Sequence, residues 1–176
     1  MPAVTVRPAR TADVWTIRSI IDVYSDNRLL LTKPTVTLFE TLPDFVVAET
    51  AGGAVGTGTP HRVVGCAAVH VLWEDLAEVR TLAVDPVCRG HGVGRTLLEA
   101  VLERARTLGV QRVFCLTFAV EFFASAGFVP IGEDTVVSPV VYEQLLESYD
   151  EGVAEFLDLE RVKPNTLGNT RMLRHL

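Results

Sequence analysis

Apolar residues recur along this chain at two spacings, every second residue in some stretches and every third or fourth in others, and this pattern predicts alternating strands and helices. Strands are predicted at Val4 to Arg7, Phe45 to Glu49, Val63 to Trp73, Glu78 to Val84, Arg112 to Leu116 and Phe128 to Ile131. Helices are predicted from Thr11 through Tyr24, Pro34 through Leu42, Val93 to near Gly109, and Val120 to Ala126. Ala51 to Arg62 is predicted to be a hairpin connection.

The pattern is weaker in residues 132–176, where we expect a helix from Pro139 to Tyr149 and then a loop that leads to a final strand. Strands that alternate with helices pack as a sheet covered by helices. We therefore expect one three-layer α/β domain with a mixed sheet, formed by residues 1–176.

A glycine-rich segment, Arg89-Gly90-His91-Gly92-Val93-Gly94, lies between the strand that ends at Val84 and the helix that follows. Glycines let the backbone curl until successive N–H groups converge, and the start of a helix adds unpaired N–H groups and a positive dipole end. The segment predicts a site for phosphate oxygens, with an ordinary glycine-rich turn as the alternative. It is not the GxGxxG fingerprint, which would need glycine at Arg95, nor a P-loop, which would need Gly-Lys-Ser/Thr.

Composition narrows the possible functions. The net charge of −6 disfavours a broad nucleic-acid surface, so the only cationic rim we expect is local, at Arg89, His91 and Arg95. No apolar run reaches membrane-spanning length and no signal-peptide segment is found, so we expect a cytoplasmic protein without a membrane partner. The three cysteines lack zinc-site spacing, which predicts free thiols and no metal.

The spacing Arg89-x-x-Gly92-x-Gly94 resembles motif A of the GNAT acetyltransferases. The resemblance implies acetyl-CoA as co-substrate and the GNAT fold, in which two central parallel strands, here Glu78–Val84 and Arg112–Leu116, splay apart. It also implies a set of cofactor-binding residues. Those for the pyrophosphate are Arg89, Gly90, His91, Gly92, Val93, Gly94 and Arg95, and those for the pantetheine arm and the thioester carbonyl are Leu82, Ala83 and Val84.

A second segment, Glu121 to Phe128, resembles the GNAT sequence FYxxxGF, but Phe123 replaces the tyrosine that serves many GNAT enzymes as a general acid. A phenyl ring cannot donate a proton. The whole chain is most similar to the acetyltransferase domain of N-acetylglutamate synthases, in the short stand-alone form of actinobacteria. The segments that carry this similarity are VRPARTADV, LLLTKPTVTLFETLPDFVVAE, AEVRTLAVDP, QRVFCLTFAVEFFASAGF and VKPNTLGNTRML.

This second resemblance implies direct transfer of acetyl from acetyl-CoA to the α-amine of L-glutamate or L-glutamine, the first step of arginine biosynthesis. Because many GNAT proteins pair through their C-terminal strands, we expect a homodimer. No amino-acid-kinase segment is present among the 176 residues, so control by arginine would need another site. A GNAT enzyme for another amine and a non-catalytic acyl-CoA sensor are the alternatives.

Two residues are candidates for the chemistry. Glu78 lies two residues before Arg80, and a carboxylate there can take the proton that a substrate ammonium must lose before its nitrogen attacks the thioester. Thr117 ends the next strand, where a hydroxyl can assist the leaving thiolate. The synthases have an acidic residue and a Ser or Thr at these places. The alternatives are a solvated charge at a strand edge and a threonine bonded to backbone.

Five residues are candidates for acceptor binding. Lys33 and Arg80 are cations that suit carboxylates, and Arg80 can instead form a structural ion pair with Glu78. We also place Thr81 in this group, and Asn169 and Thr170 align loosely with a tail segment that contacts glutamate in the synthases. Cys88, Cys115 and His70 are expected to be packing residues, and Cys115 lies in an apolar strand.

Overall fold

The computed structural model describes residues 4–27, 29–30, 33–50, 61–132, 137–157, 159 and 168–176. In these ranges the chain forms seven strands: β1 Val4–Pro8, β2 Phe45–Thr50, β3 Arg62–Trp73, β4 Leu76–Val84, β5 Arg112–Thr117, β6 Val129–Pro130 and β7 Thr170–His175. The α-helices are α1 Val14–Ser25, α2 Thr35–Glu40, α3 Val93–Thr107, α4 Val120–Ala124, α5 Pro139–Leu146 and α6 Glu151–Phe156. Short 3-10 helices occur at Thr11–Asp13, Leu42–Asp44 and Pro86–Cys88.

The strands form one mixed sheet in the order β1-β2-β3-β4-β5-β7-β6. The pairs β1–β2, β2–β3, β5–β7 and β6–β7 are antiparallel, and β4 pairs with β5 in parallel. The parallel ladder covers the first part of β4, where Leu76–Glu78 lie opposite Arg112–Phe114. The mixed sheet predicted from the strand and helix pattern is confirmed.

The chain divides into two compact units, the first comprising Met1–Val69 and Val79–Arg104. In this unit β3 is covered on both faces. Cys66 belongs to a buried cluster with the apolar face of α1. Adjacent residues of a strand face opposite sides of the sheet, so the neighbouring Gly65 faces the other side from Cys66. A Cβ on Gly65 would meet Leu97 and Val93 of α3. Helices α1 and α3 therefore pack on opposite faces of β3, the strand next to β4 in the sheet.

An ion-pair network joins the ends of several elements in this unit. The Arg7 guanidinium donates to both carboxylate oxygens of Asp13, at 2.7 and 3.0 Å, and to Glu49 at 2.9 Å. Asp13 also accepts from the backbone N–H of Arg10 at 2.7 Å. These bonds hold the pKa of the buried Asp13 carboxyl below its ordinary value, chiefly through Arg7. The network fixes the start of α1 against β1 and β2.

The second unit, His70–Glu78 and Ala105–Leu176, has its own core. Leu76, Phe114 and Leu173 from β4, β5 and β7 are buried with residues of α5 and α6. The rings of Phe114 and Phe156 lie 4.6 Å apart between centroids. This core explains why α6, although short, is held in place.

Helix α6 was not predicted, because Glu151–Phe156 has only six residues and includes a glycine, which helix interiors disfavour. Asp150 supplies the missing signal: its carboxylate oxygen Oδ1 accepts from the N–H groups of Gly152 and Val153 at 2.9 and 3.2 Å. An aspartate in that position satisfies donors that a helix start leaves open. The expectation that this region was only a loop before the final strand is therefore wrong.

Smaller corrections concern element ends. The first helix begins as the 3-10 turn Thr11–Asp13, and Leu42 lies in a separate 3-10 turn rather than in α2. The strand predicted at Phe128 to Ile131 pairs over Val129–Pro130 only. Most of the predicted connection from Ala51 to Arg62 lies outside the described residues.

Candidate active site

Strand β4 is irregular just before Leu82–Val84, the stretch predicted to bind the cofactor. Thr81 has a φ of 54°, and among the described residues it is the one residue other than glycine with a positive φ. This conformation is costly for a β-branched side chain, about 1–3 kcal/mol, and persists only where the surroundings enforce it. Thr81 is buried, and its carbonyl oxygen accepts from the Cys66 thiol at 3.7 Å. The turn at Thr81 interrupts the regular alternation of backbone groups just before Leu82–Val84.

The chain then passes through a capped turn into the glycine-rich segment. Asp85 accepts from the N–H of Val87 at 3.1 Å and forms an ion pair with Arg62, which holds the short 3-10 helix Pro86–Cys88. Gly90 and Gly92 follow with φ values of 76° and 80°. Both need glycine for this backbone conformation, since side chains strongly disfavour it.

The structure distinguishes the roles of Gly92 and Gly94 in this segment. A Cβ on Gly92 would meet no protein atom within 4 Å, so within the protein its φ, and not crowding, requires glycine. Gly94 is the second residue of α3 and not part of the loop. The N–H groups of Val93, Gly94 and Arg95 therefore belong to the first helical turn, where an α-helix offers them no partner of its own.

The cations of the loop differ in their partners. The Arg89 guanidinium donates through Nε to the Tyr24 hydroxyl at 3.1 Å, and its central carbon lies 4.9 Å from the centre of the Tyr24 ring. His91 donates through Nδ1 to the Arg89 carbonyl oxygen at 2.8 Å. Arg95 pairs with Glu99 at 3.5 Å, so part of its charge is compensated. Arg89 and His91 remain exposed at the surface of the loop.

Tyr24 was not among the candidates from sequence, because it occupies an apolar-face position of α1, where the spacing predicts packing. Its hydroxyl donates to the carbonyl oxygen of Val84 and accepts from Arg89. Its hydroxyl could have indicated a polar role, because Tyr24 is the one residue with a hydroxyl among the apolar positions that predict α1.

Glu78 and Thr117 both lie in the second unit. Glu78 is 6% exposed and lies opposite Phe114 in the ladder, so it is not a solvated charge at a strand edge. Cys115, next to Phe114, has its pKa raised first by burial and then by the charge of Glu78. A buried carboxylate of this kind is suited to proton transfer with a bound ligand.

Thr117 is the last residue of β5 and is buried. Its side-chain oxygen accepts from the N–H of Ala119 at 2.9 Å, which is the backbone-capping arrangement expected as the alternative. A hydroxyl that accepts a bond keeps its own hydrogen for donation, so capping and assistance to a leaving group are compatible. Thr170, the first residue of β7, is the register partner of Thr117.

The remaining candidates for acceptor binding lie in different units. Lys33 and Arg80, both half-buried, belong to the first unit, and Asn169 and Thr170 belong to the second. The backbone carbonyl of Lys33 accepts from Arg18 at 3.2 Å, which ties the segment before α2 to α1. The roles of these residues, and of Thr81, remain predictions.

The cysteines are suited to packing rather than to catalysis. All three are buried free thiols, and burial raises the pKa of Cys66 to about 12. A thiol with so high a pKa is almost entirely protonated at neutral pH and is a poor nucleophile. In the described part of the chain no group of three or more His, Cys, Asp or Glu side chains is arranged to hold a metal ion. The described helices include none that is both long enough and apolar enough to cross a bilayer.

Two left-handed glycines that lead into the first turn of a long helix form an arrangement suited to phosphate oxygens. The chain belongs to the GNAT acetyltransferase family, whose model matches residues 20–128. It is 51% identical over 96% of its length to an amino-acid acetyltransferase of Mycobacterium tuberculosis, of which it covers 92%. The predicted family and fold class are thereby confirmed.

Solved structures agree with this assignment. The chain is similar to Rv2747 of Mycobacterium tuberculosis, crystallised with CoA and a ligand designated NLQ, with a TM-score of 0.86, 50% identity and coverage of 98% of this chain and 99% of that one. N-acetylglutamate synthase of Neisseria gonorrhoeae, complexed with coenzyme A and N-acetyl-glutamate, gives a TM-score of 0.74 at 24% identity. This chain covers 36% of that one, and at so low an identity the similarity shows the fold alone.

Proposed function

We propose that this chain is an amino-acid N-acetyltransferase of the N-acetylglutamate synthase type, which transfers acetyl from acetyl-CoA to the α-amine of L-glutamate or L-glutamine. The observation that carries the proposal is the similarity over nearly the whole chain to the amino-acid acetyltransferase of Mycobacterium tuberculosis. Acetyl-CoA as co-substrate is supported by the CoA complex of Rv2747. The buried Glu78 and the glycine-rich loop provide the chemistry that such a reaction needs.

In this proposal the cofactor is bound mainly by backbone. The N–H groups from Arg89 to Arg95 bind the pyrophosphate, because two left-handed glycines lead directly into the first turn of α3. Such a turn favours phosphate through its open N–H groups and dipole. Backbone groups of Leu82–Val84, reoriented by Thr81, pair with the pantetheine arm and polarise the thioester carbonyl.

The reaction is a direct transfer in a ternary complex. Glu78 takes a proton from the substrate ammonium, the freed nitrogen attacks the thioester carbon, and a C–N bond forms as the carbonyl becomes an oxyanion. Collapse of this intermediate breaks the C–S bond, and the nitrogen loses its second proton, which the Thr117 hydroxyl relays to the departing thiolate. Glu78 releases its proton to solvent. An acetyl-cysteine intermediate is disfavoured by the burial and raised pKa of Cys66 and Cys115.

The acceptor is bound in this proposal by Lys33, Arg80 and Thr81, with Asn169 and Thr170 contributing from the tail. Two cations suit the two carboxylates of glutamate, whereas Asn169 and Thr170 also suit an amide. Aspartate is one methylene shorter and leaves a polar partner unpaired, which costs about 1–3 kcal/mol. We further propose that residues 1–176 form one catalytic domain, that the protein acts in the cytoplasm as a homodimer, and that its product enters arginine biosynthesis.

The test is the initial rate of CoA thiol release with a panel of acceptors: glutamate, glutamine, aspartate, lysine and an N-terminal peptide. We expect kcat/KM for glutamate or glutamine to exceed that for aspartate at least about ten-fold, which corresponds to 1.4 kcal/mol. Equal rates with aspartate, lysine and glutamate, or a preference for the peptide, would point to a GNAT enzyme for another amine. CoA binding without transfer to any acceptor would indicate an acyl-CoA sensor.

The acceptor contacts have their own test. Lys33→Ala should raise KM for glutamate with little change in kcat, because a carboxylate contact made equally in ground and transition states affects binding alone. Lys33→Arg is the matched control, since it keeps the charge. An unchanged KM in Lys33→Ala would remove Lys33 from the acceptor site.

A further inference from the structure

The hydroxyl of Tyr24 contacts two parts of the cofactor-binding segment at once. We propose that Tyr24 is a positioning residue for Arg89: it holds the guanidinium at the loop and thereby sets the affinity for coenzyme A. The inference rests on the proposed function in one respect, namely that this loop binds the pyrophosphate. The residues involved belong to the first unit and lie in its described ranges.

The geometry determines the direction of both hydrogen bonds. A carbonyl oxygen can only accept, so the Tyr24 hydroxyl uses its one hydrogen on Val84. Its oxygen is then left as an acceptor, and the Nε–H of Arg89 donates to it at 3.1 Å. Bonds arranged in series polarise and strengthen one another. The ring adds a second restraint, because the guanidinium carbon lies 4.9 Å from its centre.

An arginine at an exposed loop needs such a restraint. The side chain of Arg89 is exposed, and a long exposed side chain loses rotamer freedom when a ligand immobilises it. A guanidinium that is already held in place loses less, and the difference appears as affinity. Only Nε is bonded to Tyr24, so the two terminal nitrogens of the fork remain directed away from that bond and are suited to phosphate oxygens.

The same hydroxyl also holds the backbone of Val84, and a double-mutant cycle separates the two roles. Tyr24→Phe keeps the ring and its contact with the guanidinium but removes both hydrogen bonds. Arg89→Ala removes the residue that Tyr24 is proposed to position. If Tyr24 acts through Arg89, its hydroxyl has nothing left to position in the Arg89→Ala background, and the two losses are not additive.

The experiment is calorimetric titration of CoA into the wild type, Tyr24→Phe, Arg89→Ala and the double variant. We expect Kd for CoA to rise about five- to ten-fold in Tyr24→Phe, within the range expected when binding must immobilise one long side chain that was previously held. The double variant should bind within about two-fold of Arg89→Ala. In steady state the main effect of Tyr24→Phe should be a raised KM for acetyl-CoA, larger than any fall in kcat. Tyr149→Phe, at a residue that is 96% exposed, is the matched control and should match the wild type.

Three results would overturn the inference. An unchanged Kd in Tyr24→Phe would show that the hydroxyl does not serve cofactor binding. Additive losses in the double variant would assign Tyr24 to Val84 and not to Arg89. A wild-type protein that binds no CoA would refute the proposed function together with this inference, whereas a wild type that binds CoA beside an unaffected Tyr24→Phe refutes the inference alone.

Discussion

Gly65 of β3 is a packing point against β4 and α3, and substituting it with alanine tests how closely α3 is held. A Cβ at this position would lie 2.9 Å from the Leu97 Cδ1 methyl, 3.0 Å from the Ala83 carbonyl oxygen and 3.4 Å from a Val93 methyl. The leucine methyl can rotate, but the backbone oxygen of β4 cannot move without shifting the strand. Overpacking of this kind costs about 1–3 kcal/mol. For a chain of 176 residues this corresponds to a fall in Tm of about 2–12 °C.

The contacted residues belong to the elements on either side of the proposed cofactor loop, since Ala83 lies in β4 and both Val93 and Leu97 lie in α3. We therefore expect Gly65→Ala to weaken CoA binding as well as to lower Tm, measured by calorimetry and thermal unfolding. Gly132→Ala is the matched control, because a Cβ there meets nothing within 4 Å and its φ is ordinary. Equal Tm values for the two variants would refute the packing argument.

Three further predictions concern the chemistry and the stability of the first unit. Glu78→Gln should lower kcat about 10²–10⁴-fold, with a smaller loss at high pH where free amine is abundant; a pH–rate profile parallel to that of the wild type would exclude Glu78 as the base. Thr117→Val should lower both kcat and Tm, because it removes the leaving-group hydroxyl and the acceptor for Ala119, whereas Thr117→Ser should retain both functions; normal kcat with reduced Tm would leave only the capping role. Asp13→Asn should lose about 1.5–3 kcal/mol at pH 7, measured by urea unfolding.

The pH dependence of the Asp13 effect follows from its lowered pKa. A carboxyl whose pKa is lower in the folded state stabilises the fold fully above its unfolded value of about 4, and this contribution is lost as the pH falls through the folded value. The stability gap between wild type and Asp13→Asn should therefore be constant near neutral pH and shrink only below about pH 4. A gap that does not change down to acid unfolding would show that the ion pair with Arg7 does not stabilise the fold.

The predictions from sequence were best where a local pattern decides the structure. Helix α3 has its buried face at the expected spacing, and the strand before it is the predicted one apart from its start, which is Leu76 rather than Glu78. The glycine loop was predictable because left-handed backbone strongly favours glycine, so glycines just before a helix indicate such a loop. The burial of Glu78 could not be predicted from the residues around it. It depends on pairing with β5, whose residues lie about 36 positions further along the chain.

Features that depend on long-range contacts were not predictable. Nothing in the sequence indicates that Thr81 adopts a positive φ, because β-branched residues normally avoid it. The bond from Arg89 to Tyr24 joins residues 65 positions apart, and the spacing of α1 gave Tyr24 only a packing role. Helix α6 is too short to show a helical period of apolar residues. It is stabilised by Asp150, which caps its start, and by the core around Phe156.

Identification of the product tests the central claim most directly. The purified protein is incubated with carbonyl-labelled acetyl-CoA and L-glutamate, and the products are analysed by NMR and mass spectrometry. The proposal predicts one labelled amide on the α-nitrogen of glutamate for each CoA released. The enzyme itself should carry no acetyl group. CoA release without an acetylated amino acid, or label on a protein side chain in place of glutamate, would contradict it.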